Sequence, residues 1–375
     1  MSKKLPKKGQ PQKKMAFDIE TFKKDNGLDL VIKEKPESYL PFHEAFHEAV
    51  GIPGPPRGYV TLFRGFSDTG KSTAIYESIV GAQKIGDFPV IIDTEGNFNW
   101  EHAKLIGMEF EDVYGEVVDE ETGEIKTEVV NHKGNFLFFN GKHLLDRYRN
   151  FDYSDGKEKS KSLRGEPVVE DVAKLMNDLL TLQDEEKLPY NLVFLWDSIG
   201  SVGCFKGATS GSNNNMWVAG AIASAFNSLL NFRIPTSRNE DSPYTNTFIG
   251  VQKVWLDSQG GGMPTVKHKG GEAFKFGARI IVHMGGKLGS GSVRKKATAG
   301  GNEYMIGSEV KIEVSKNHVN GIEKFGKILS TPHGFVNPDK FEEYKKEHKD
   351  FILAKLNTEL SDFSVEDEDI DVTEE

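Results

Sequence analysis

The most specific chemical signal in the chain is a glycine-rich segment that ends in lysine and serine. Residues 65–72 read GFSDTGKS and match the pattern G-x-x-x-x-G-K-[ST] without a break. Glycine permits the torsions and the close approach with which backbone N–H groups surround a phosphate. In such a loop Lys71 reaches the β and γ oxygens, and Ser72 is a ligand of Mg²⁺. The segment therefore predicts a site for ATP and Mg²⁺.

The flanking sequence supplies the elements that such a loop requires. Residues 59–63 predict a strand, and residues 71–83 predict a helix with one apolar face, whose N-terminal dipole favours an anion. This context makes a chance glycine-rich turn the weaker alternative. The candidate nucleotide contacts are Gly65, Phe66, Ser67, Asp68, Thr69, Gly70, Lys71, Ser72 and Thr73.

Two other apolar segments end in carboxylates. Residues 192–196 read LVFLW and are followed by Asp197, which would hold Mg²⁺ mostly through water. Residues 89–92 are followed by Asp93, Thr94 and Glu95. Doubly wound sheets bind ligands beyond the carboxyl ends of their strands, so Glu95 is the candidate base that activates water. A helix cap or a surface acid remains an equally open interpretation of Glu95.

Continuous apolar strands alternate with amphipathic helices from residue 58 onwards. This pattern predicts an α/β fold with a central, mostly parallel twisted sheet that is covered by helices on both faces. Further helices are expected at 168–182 and 216–232, and further strands at 247–251 and 279–284. Val310, Ile312 and Val314 alternate with charged residues, which predicts a half-exposed strand that pairs with 325–329.

The chain divides into three expected regions. Residues 1–50 are a basic arm and oligomerisation segment, 51–335 the core, and 336–375 a short helical segment with an acidic tail. Within the core, 116–165 is expected to be an inserted hairpin and loop. Phe17, Ile19 and Phe22 are candidates for docking on a neighbouring subunit, with packing on their own core as the alternative.

Charge and composition limit the function classes. The 375 residues carry a net charge of −10, but six lysines lie within the first 14 residues and eight acids between Asp362 and Glu375. Nucleic acid therefore remains a candidate partner, provided that the contact is local. We expect no membrane segment and no secretory signal. Cys204 is the single cysteine, which fits a reducing, cytoplasmic location.

The order of motifs resembles that of the RecA family of DNA recombinases. The matching segments, over about residues 50 to 330, are PGPPRG at 53–58, the glycine-rich loop, IIDTEG at 91–96, LWDS at 195–198, FIGVQ at 248–252, GGEAFKF at 270–276, GSE at 307–309 and KN at 316–317. The short C-terminal region is more similar to phage-type members than to bacterial ones.

The resemblance implies a RecA-like ATPase core and an ATP-dependent recombinase. Such a protein forms helical filaments on single-stranded DNA, binds double-stranded DNA as well, and promotes homologous pairing and strand exchange. Gln252 would sense the γ-phosphate, and Lys316 would reach the γ-phosphate held by a neighbouring subunit. The family has a second lysine that contacts the neighbouring subunit's γ-phosphate, and this chain carries His318 at that position. This difference from the family puts normal ATP turnover in doubt.

The resemblance also implies two DNA-binding loops, at about 203–215 and 253–269. Both are rich in glycine or asparagine, and ordinary flexible loops are the alternative. The candidate DNA contacts are Lys206, Asn213, Asn214, Met216, Lys253, Trp255, Lys267, Lys269, Gly270 and Gly271.

Three other functions remain open at this point. A hexameric helicase motor has the same core and forms closed rings. A regulatory ATPase of the same fold acts through proteins and is not stimulated by DNA. A degenerate member binds DNA without useful turnover.

Overall fold

The computed structural model describes residues 18–27, 33–118, 125–211, 215–257, 265–268, 272–286, 289–299 and 302–356. Its helices are α1 (Ile19–Asp25), α2 (Glu44–Val50), α3 (Lys71–Lys84), α4 (Trp100–Ile106), α5 (Gly141–Tyr148), α6 (Val169–Asp184), α7 (Phe205–Ser210), α8 (Asn215–Ser228), α9 (Ile234–Thr236), α10 (Ala273–Gly277), α11 (Phe341–Glu347) and α12 (Lys349–Lys355). Its strands are β1 (Val60–Gly65), β2 (Phe88–Asp93), β3 (Glu111–Val118), β4 (Ile125–Lys133), β5 (Leu137–Asn140), β6 (Phe151–Asp152), β7 (Lys157–Glu158), β8 (Leu192–Asp197), β9 (Thr247–Asp257), β10 (Thr265–His268), β11 (Ile280–Met284), β12 (Val293–Ala299), β13 (Asn302–Asn317), β14 (Phe325–Thr331) and β15 (Gly334–Val336).

Among the described residues, eleven strands form one sheet. Its main path is β15-β14-β13-β11-β1-β9-β8-β2-β5, with β10 beside β9 and β12 beside β13. The six strands from β11 to β5 are mutually parallel, whereas β13, β14 and β15 extend the sheet antiparallel. The expected mixed α/β fold with a mostly parallel central sheet is confirmed. The carboxyl ends of β1, β2, β8 and β9 consequently meet at one edge.

Helices cover both faces of this sheet. Phe63, Ile79 and Phe46 belong to one apolar core, on the side of α2 and α3. Leu62 and Phe226 belong to the other core, on the side of α6 and α8. Because successive side chains of a strand point to opposite faces, neighbours such as Leu62 and Phe63 are both buried. This double burial explains why the central strands are apolar without interruption.

Two segments expected to be flexible loops contain regular structure. The first, at 203–215, includes α7, whose Phe205 is buried against the core. The second begins as a continuation of β9, which runs through Asp257 instead of ending at Val251, and β10 pairs antiparallel with it. The sequence did not indicate this regular structure, because short segments beside glycine and asparagine owe their order to tertiary contacts. DNA binding by either segment stays a prediction.

The insertion contains a two-stranded ribbon that is longer than the sequence indicated. β3 and β4 pair antiparallel, from Glu111 opposite Lys133 to Val118 opposite Ile125. Its base is fixed where the ring of Trp100 stacks on that of His132, with 3.9 Å between centroids. The remainder of 116–165 is not all loop, since it includes β5, α5 and the short β6–β7 pair.

The two terminal regions differ in how they meet the core. α11 and α12 pack against the antiparallel side of the sheet through Phe341, Tyr344 and Ile352. At the other end, Ile19 and Phe22 in α1 remain 48% and 42% exposed, so their docking on a neighbouring subunit stays a prediction. The arm at 1–14 and the acidic tail lie outside the described residues.

Candidate functional site

The Gly65–Ser72 segment connects the carboxyl end of β1 to the first turn of α3. Gly70 precedes the helix with a left-handed backbone, at a φ of 82°. A Cβ atom on Gly65 would lie 2.3 Å from the carbonyl oxygen of Met284, so only glycine fits there. The unpaired N–H groups of the first helical turn are directed toward this loop, an arrangement that binds anions.

Lys71 folds back over the loop. Its Nζ donates hydrogen bonds to the carbonyl oxygen of Phe66 and, at 3.4 Å, to the hydroxyl of Thr69. Burial lowers the pKa of Lys71 to about 8, and the nearby carboxylate of Asp197 opposes this shift. An anion in the loop would favour the charged ammonium and give it better partners than a backbone carbonyl.

Ser72 and Asp197 meet at the edge of the sheet. The Ser72 hydroxyl donates to Oδ2 of Asp197 over 3.3 Å. Burial raises the pKa of Asp197 to about 6, and the charges of Glu95 and Asp93 add to the shift. One hydroxyl and one carboxylate, with room for phosphate oxygens and water, are donors that suit Mg²⁺. These residues therefore fit the ion that the sequence motif implies.

Glu95 lies beside this pair and is firmly held. Its carboxylate accepts a hydrogen bond from the Ser198 hydroxyl, one of 2.6 Å from Nζ of Lys253, and one of 3.2 Å from the amide of Asn97. Partial burial alone would raise the pKa of Glu95, but the hydrogen bonds from Lys253 and Ser198 outweigh it and hold the pKa below the usual range. Glu95 is thus an ionised acceptor aimed at the cavity.

Asp93 is a supporting residue whose role was not identified from sequence. Its carboxylate accepts backbone N–H bonds from Glu95 at 3.1 Å, Gly96 at 2.8 Å and Phe98 at 3.0 Å. These bonds fix the turn that presents Glu95. The signal was present in the sequence, because an aspartate directly after a buried strand commonly caps the following turn.

The loop, Asp197 and Glu95 open into one cavity of about 680 Å³. The cavity is also lined by residues of β12, β13, β14 and α12. These include the rings of Tyr304 and Phe351, together with His102 of α4. A phosphate-type loop and ring side chains in one cavity give it the size and the polarity that suit a nucleotide.

The two remaining candidate catalytic residues lie outside this cavity. Gln252 is fully buried on the other face of β9, where its Oε1 accepts a 2.6 Å bond from Nε of Arg64. Nζ of Lys316 donates to the carbonyl oxygen of Lys275 at 2.9 Å. A contact of either residue with a γ-phosphate stays a prediction.

The candidate DNA contacts that the structure describes are dispersed. Lys253 lines the cavity at the loop, and Lys206 places its ammonium 4.2 Å from the ring centroid of Trp217. Trp255 is opposite Lys267 in the β9–β10 pairing and is 42% exposed.

Met216, at the start of α8, is 80% exposed. The other candidates, Asn213, Asn214, Lys269, Gly270 and Gly271, lie outside the described residues. Across the described ranges, no helix is both long and apolar enough to cross a membrane.

Comparison with known proteins finds partial similarity of this chain to RecA proteins. No protein-family model matches the chain. Protein RecA of Aquifex aeolicus is 34% identical over 85 residues, which are 22% of this chain and 25% of that protein. Protein RecA of Corynebacterium urealyticum is 29% identical over 137 residues, which are 34% of this chain and 36% of that protein. Protein RecA of Corynebacterium aurimucosum is 32% identical over 83 residues, 22% of either chain.

These matches support a relation to the RecA family. They span between 22% and 36% of the relatives' length. The phage-type character expected from the short C-terminal region has no counterpart among them.

Proposed function

We propose that this chain is a DNA-dependent ATPase that forms filaments on single-stranded DNA and promotes homologous pairing and strand exchange. The observation that carries the proposal is the convergence of Lys71, Ser72, Asp197 and Glu95 on one cavity at the carboxyl edge of a parallel sheet. The partial similarity to RecA proteins gives the DNA-related part of the proposal its support.

Under this proposal, each of these residues would have a task in ATP hydrolysis. The loop N–H groups and Lys71 would bind the β and γ oxygens and stabilise the charge that develops there. Ser72 and Asp197 would hold Mg²⁺, which neutralises phosphate charge when bound. Glu95 would orient the attacking water and accept its proton, because its carboxylate is ionised and fixed by Ser198 and Asp93.

The position of Lys316 supports a shared site between subunits. Lys316 is the next-to-last residue of β13 and lies outside the cavity of its own chain. Burial lowers its pKa, and the positive charges of Arg279, Arg64 and Lys275 lower it further. An anion brought by a neighbouring subunit would relieve this clustering of charge. A filament in which each subunit completes the next site is consistent with that position.

The decisive experiment measures ATP hydrolysis with and without single-stranded DNA, and images the same samples by electron microscopy. We expect DNA to stimulate hydrolysis, ATP to be required for helical filaments, and Lys71→Ala to lose both properties. Closed rings would favour the helicase motor instead. Hydrolysis that DNA does not change, without filaments, would exclude the recombinase and favour a regulatory ATPase.

A further inference from the structure

Lys253 and Gln252 are neighbours in β9, but only Lys253 reaches the nucleotide cavity. In the pairing of β9 with β1, Lys253 is opposite Gly65, the first glycine of the loop, and Gln252 is opposite Arg64. Successive side chains of a strand point to opposite faces. Lys253 therefore points to the side of α3 and the loop, whereas Gln252 is buried on the other side with Arg64.

In the nucleotide-free site, the partner of Lys253 is the candidate base. Its Nζ lies 2.6 Å from Oε2 of Glu95, and 46% of the lysine side chain is exposed to the cavity compared with 12% of the glutamate. The ammonium group of Lys253 is therefore bonded to Glu95, while much of the side chain remains exposed. A partner with more negative charge that enters the cavity can compete for the ammonium.

The charges around the loop show where such a partner would bind. Lys71 and Lys253 both line the cavity, and Lys253 is opposite Gly65, where the loop begins. Two ammonium groups on the same side of this loop repel each other. A terminal phosphate that enters at the Lys71 end of the loop would lie near both and would relieve the repulsion.

We propose that Lys253 is a catalytic residue that binds Glu95 in the empty site and moves to the γ-phosphate when a nucleoside triphosphate binds. This inference rests on the proposed ATPase function and assigns to Lys253 the contact that motif order suggested for Gln252. Glu95 would keep its bond from Ser198 and gain a free oxygen for water. ADP has no γ-phosphate, so in the ADP state Lys253 remains on Glu95.

The same exchange would reach the β9–β10 ribbon. Val254, the residue after Lys253, begins the part of β9 that pairs with β10. A change of partner at Lys253 is therefore transmitted along a strand whose outer end carries the exposed Trp255, which is opposite Lys267 of β10.

The test compares the binding of a non-hydrolysable ATP analogue and of ADP, each with Mg²⁺. We expect Lys253→Ala to weaken binding of the analogue by about 10- to 100-fold, the range for one charge-assisted hydrogen bond. ADP binding should change by less than about threefold. Lys253→Arg should retain most of the preference for the ATP analogue over ADP. Lys187→Ala is the matched control, because Lys187 is an exposed lysine that precedes β8 at the opposite edge of the sheet.

A second readout separates catalysis from structural support. In the free enzyme, Lys253→Ala removes a partner that lowers the pKa of Glu95, so the acid limb of the kcat/KM profile, which reports the free enzyme, should move to higher pH. Equal weakening of analogue and ADP, no weakening, or an unchanged acid limb would each refute the role of Lys253. Lys253→Met, which keeps the apolar stem, replaces Lys253→Ala if the latter does not fold. If the wild type binds neither nucleotide and Lys71→Ala behaves the same, the ATPase proposal itself fails.

Discussion

At the scale of single residues, Asp197 has an environment that is unfavourable to its own charge. It ends a buried strand and faces the negative charges of Glu95 and Asp93, so its pKa rises to about 6. The folded protein therefore binds more protons than the unfolded chain between about pH 4 and 6. The contribution of Asp197 to the free energy of unfolding is fully present below about pH 4 and is lost as the pH rises through about 6.

Asp197→Asn should accordingly stabilise the nucleotide-free protein at pH 7.5 while abolishing hydrolysis. We expect the free energy of unfolding to increase by about 2 kcal/mol, since one unit of pKa shift corresponds to about 1.4 kcal/mol. This increase in the free energy of unfolding should disappear near pH 4, where Asp197 is already protonated in the folded protein. Urea unfolding at both pH values tests this, with the exposed Asp146→Asn as control. A variant that is less stable at pH 7.5 would contradict the assignment.

At the scale of elements, the β3–β4 ribbon combines apolar side chains with high exposure. Val118 and Ile125, which face each other across the strands, are 60% and 66% exposed, and Tyr114 is 63% exposed. A two-stranded ribbon of this kind has little stability of its own in water. Its base at Trp100 and His132 is the part that contacts the core.

Trimming the ribbon should therefore leave the core intact. Tyr114 and Val129 are opposite each other, so replacing residues 115–128 by Asn-Gly can close a tight hairpin at that pair. We expect the melting temperature to change by less than about 3 °C, because few contacts are removed, and light scattering to show less self-association. ATP hydrolysis should be retained, since none of the ribbon residues that the structure describes lines the cavity. A large fall in the melting temperature would contradict this prediction and show that the outer ribbon supports the core.

At the scale of the whole molecule, charge is concentrated at the ends of the chain. Removal of residues 362–375 eliminates eight acids and changes the net charge from −10 to −2. A tail with this charge repels DNA and competes for basic loops, although a purely solubilising role remains the alternative.

A truncation at Ser361 should tighten the binding of single-stranded DNA. We expect about a tenfold lower Kd at low salt and a smaller difference at high salt, because screening weakens the repulsion between tail and phosphates. Fluorescence anisotropy over a series of salt concentrations measures this. A tail of equal length with Asn and Gln in place of its acids is the control and should behave like the truncation. An unchanged Kd in both variants would leave solubility as the role of the tail.

Much of the fold and of the candidate site follows from local sequence. Apolar strands such as 192–197 and the helix that starts at Lys71 have periodicities that tertiary contacts reinforce. Short elements such as α7 and β5 were not predictable, because four to six residues carry no clear period and owe their order to the core around them.

The sequence by itself determined the loop from Gly65 to Ser72 and the strand-end carboxylates, because strand direction places those residues at one edge. Tertiary structure decided which side chains face one another there. Gln252 and Lys253 have equivalent local sequence contexts, and only the pairing of β9 with β1 shows which of them faces the loop. The sheet order β9-β8-β2 brings Lys253 onto Glu95, 158 positions earlier in the chain. Such contacts depend on strand register and sheet order, which local spacing does not specify.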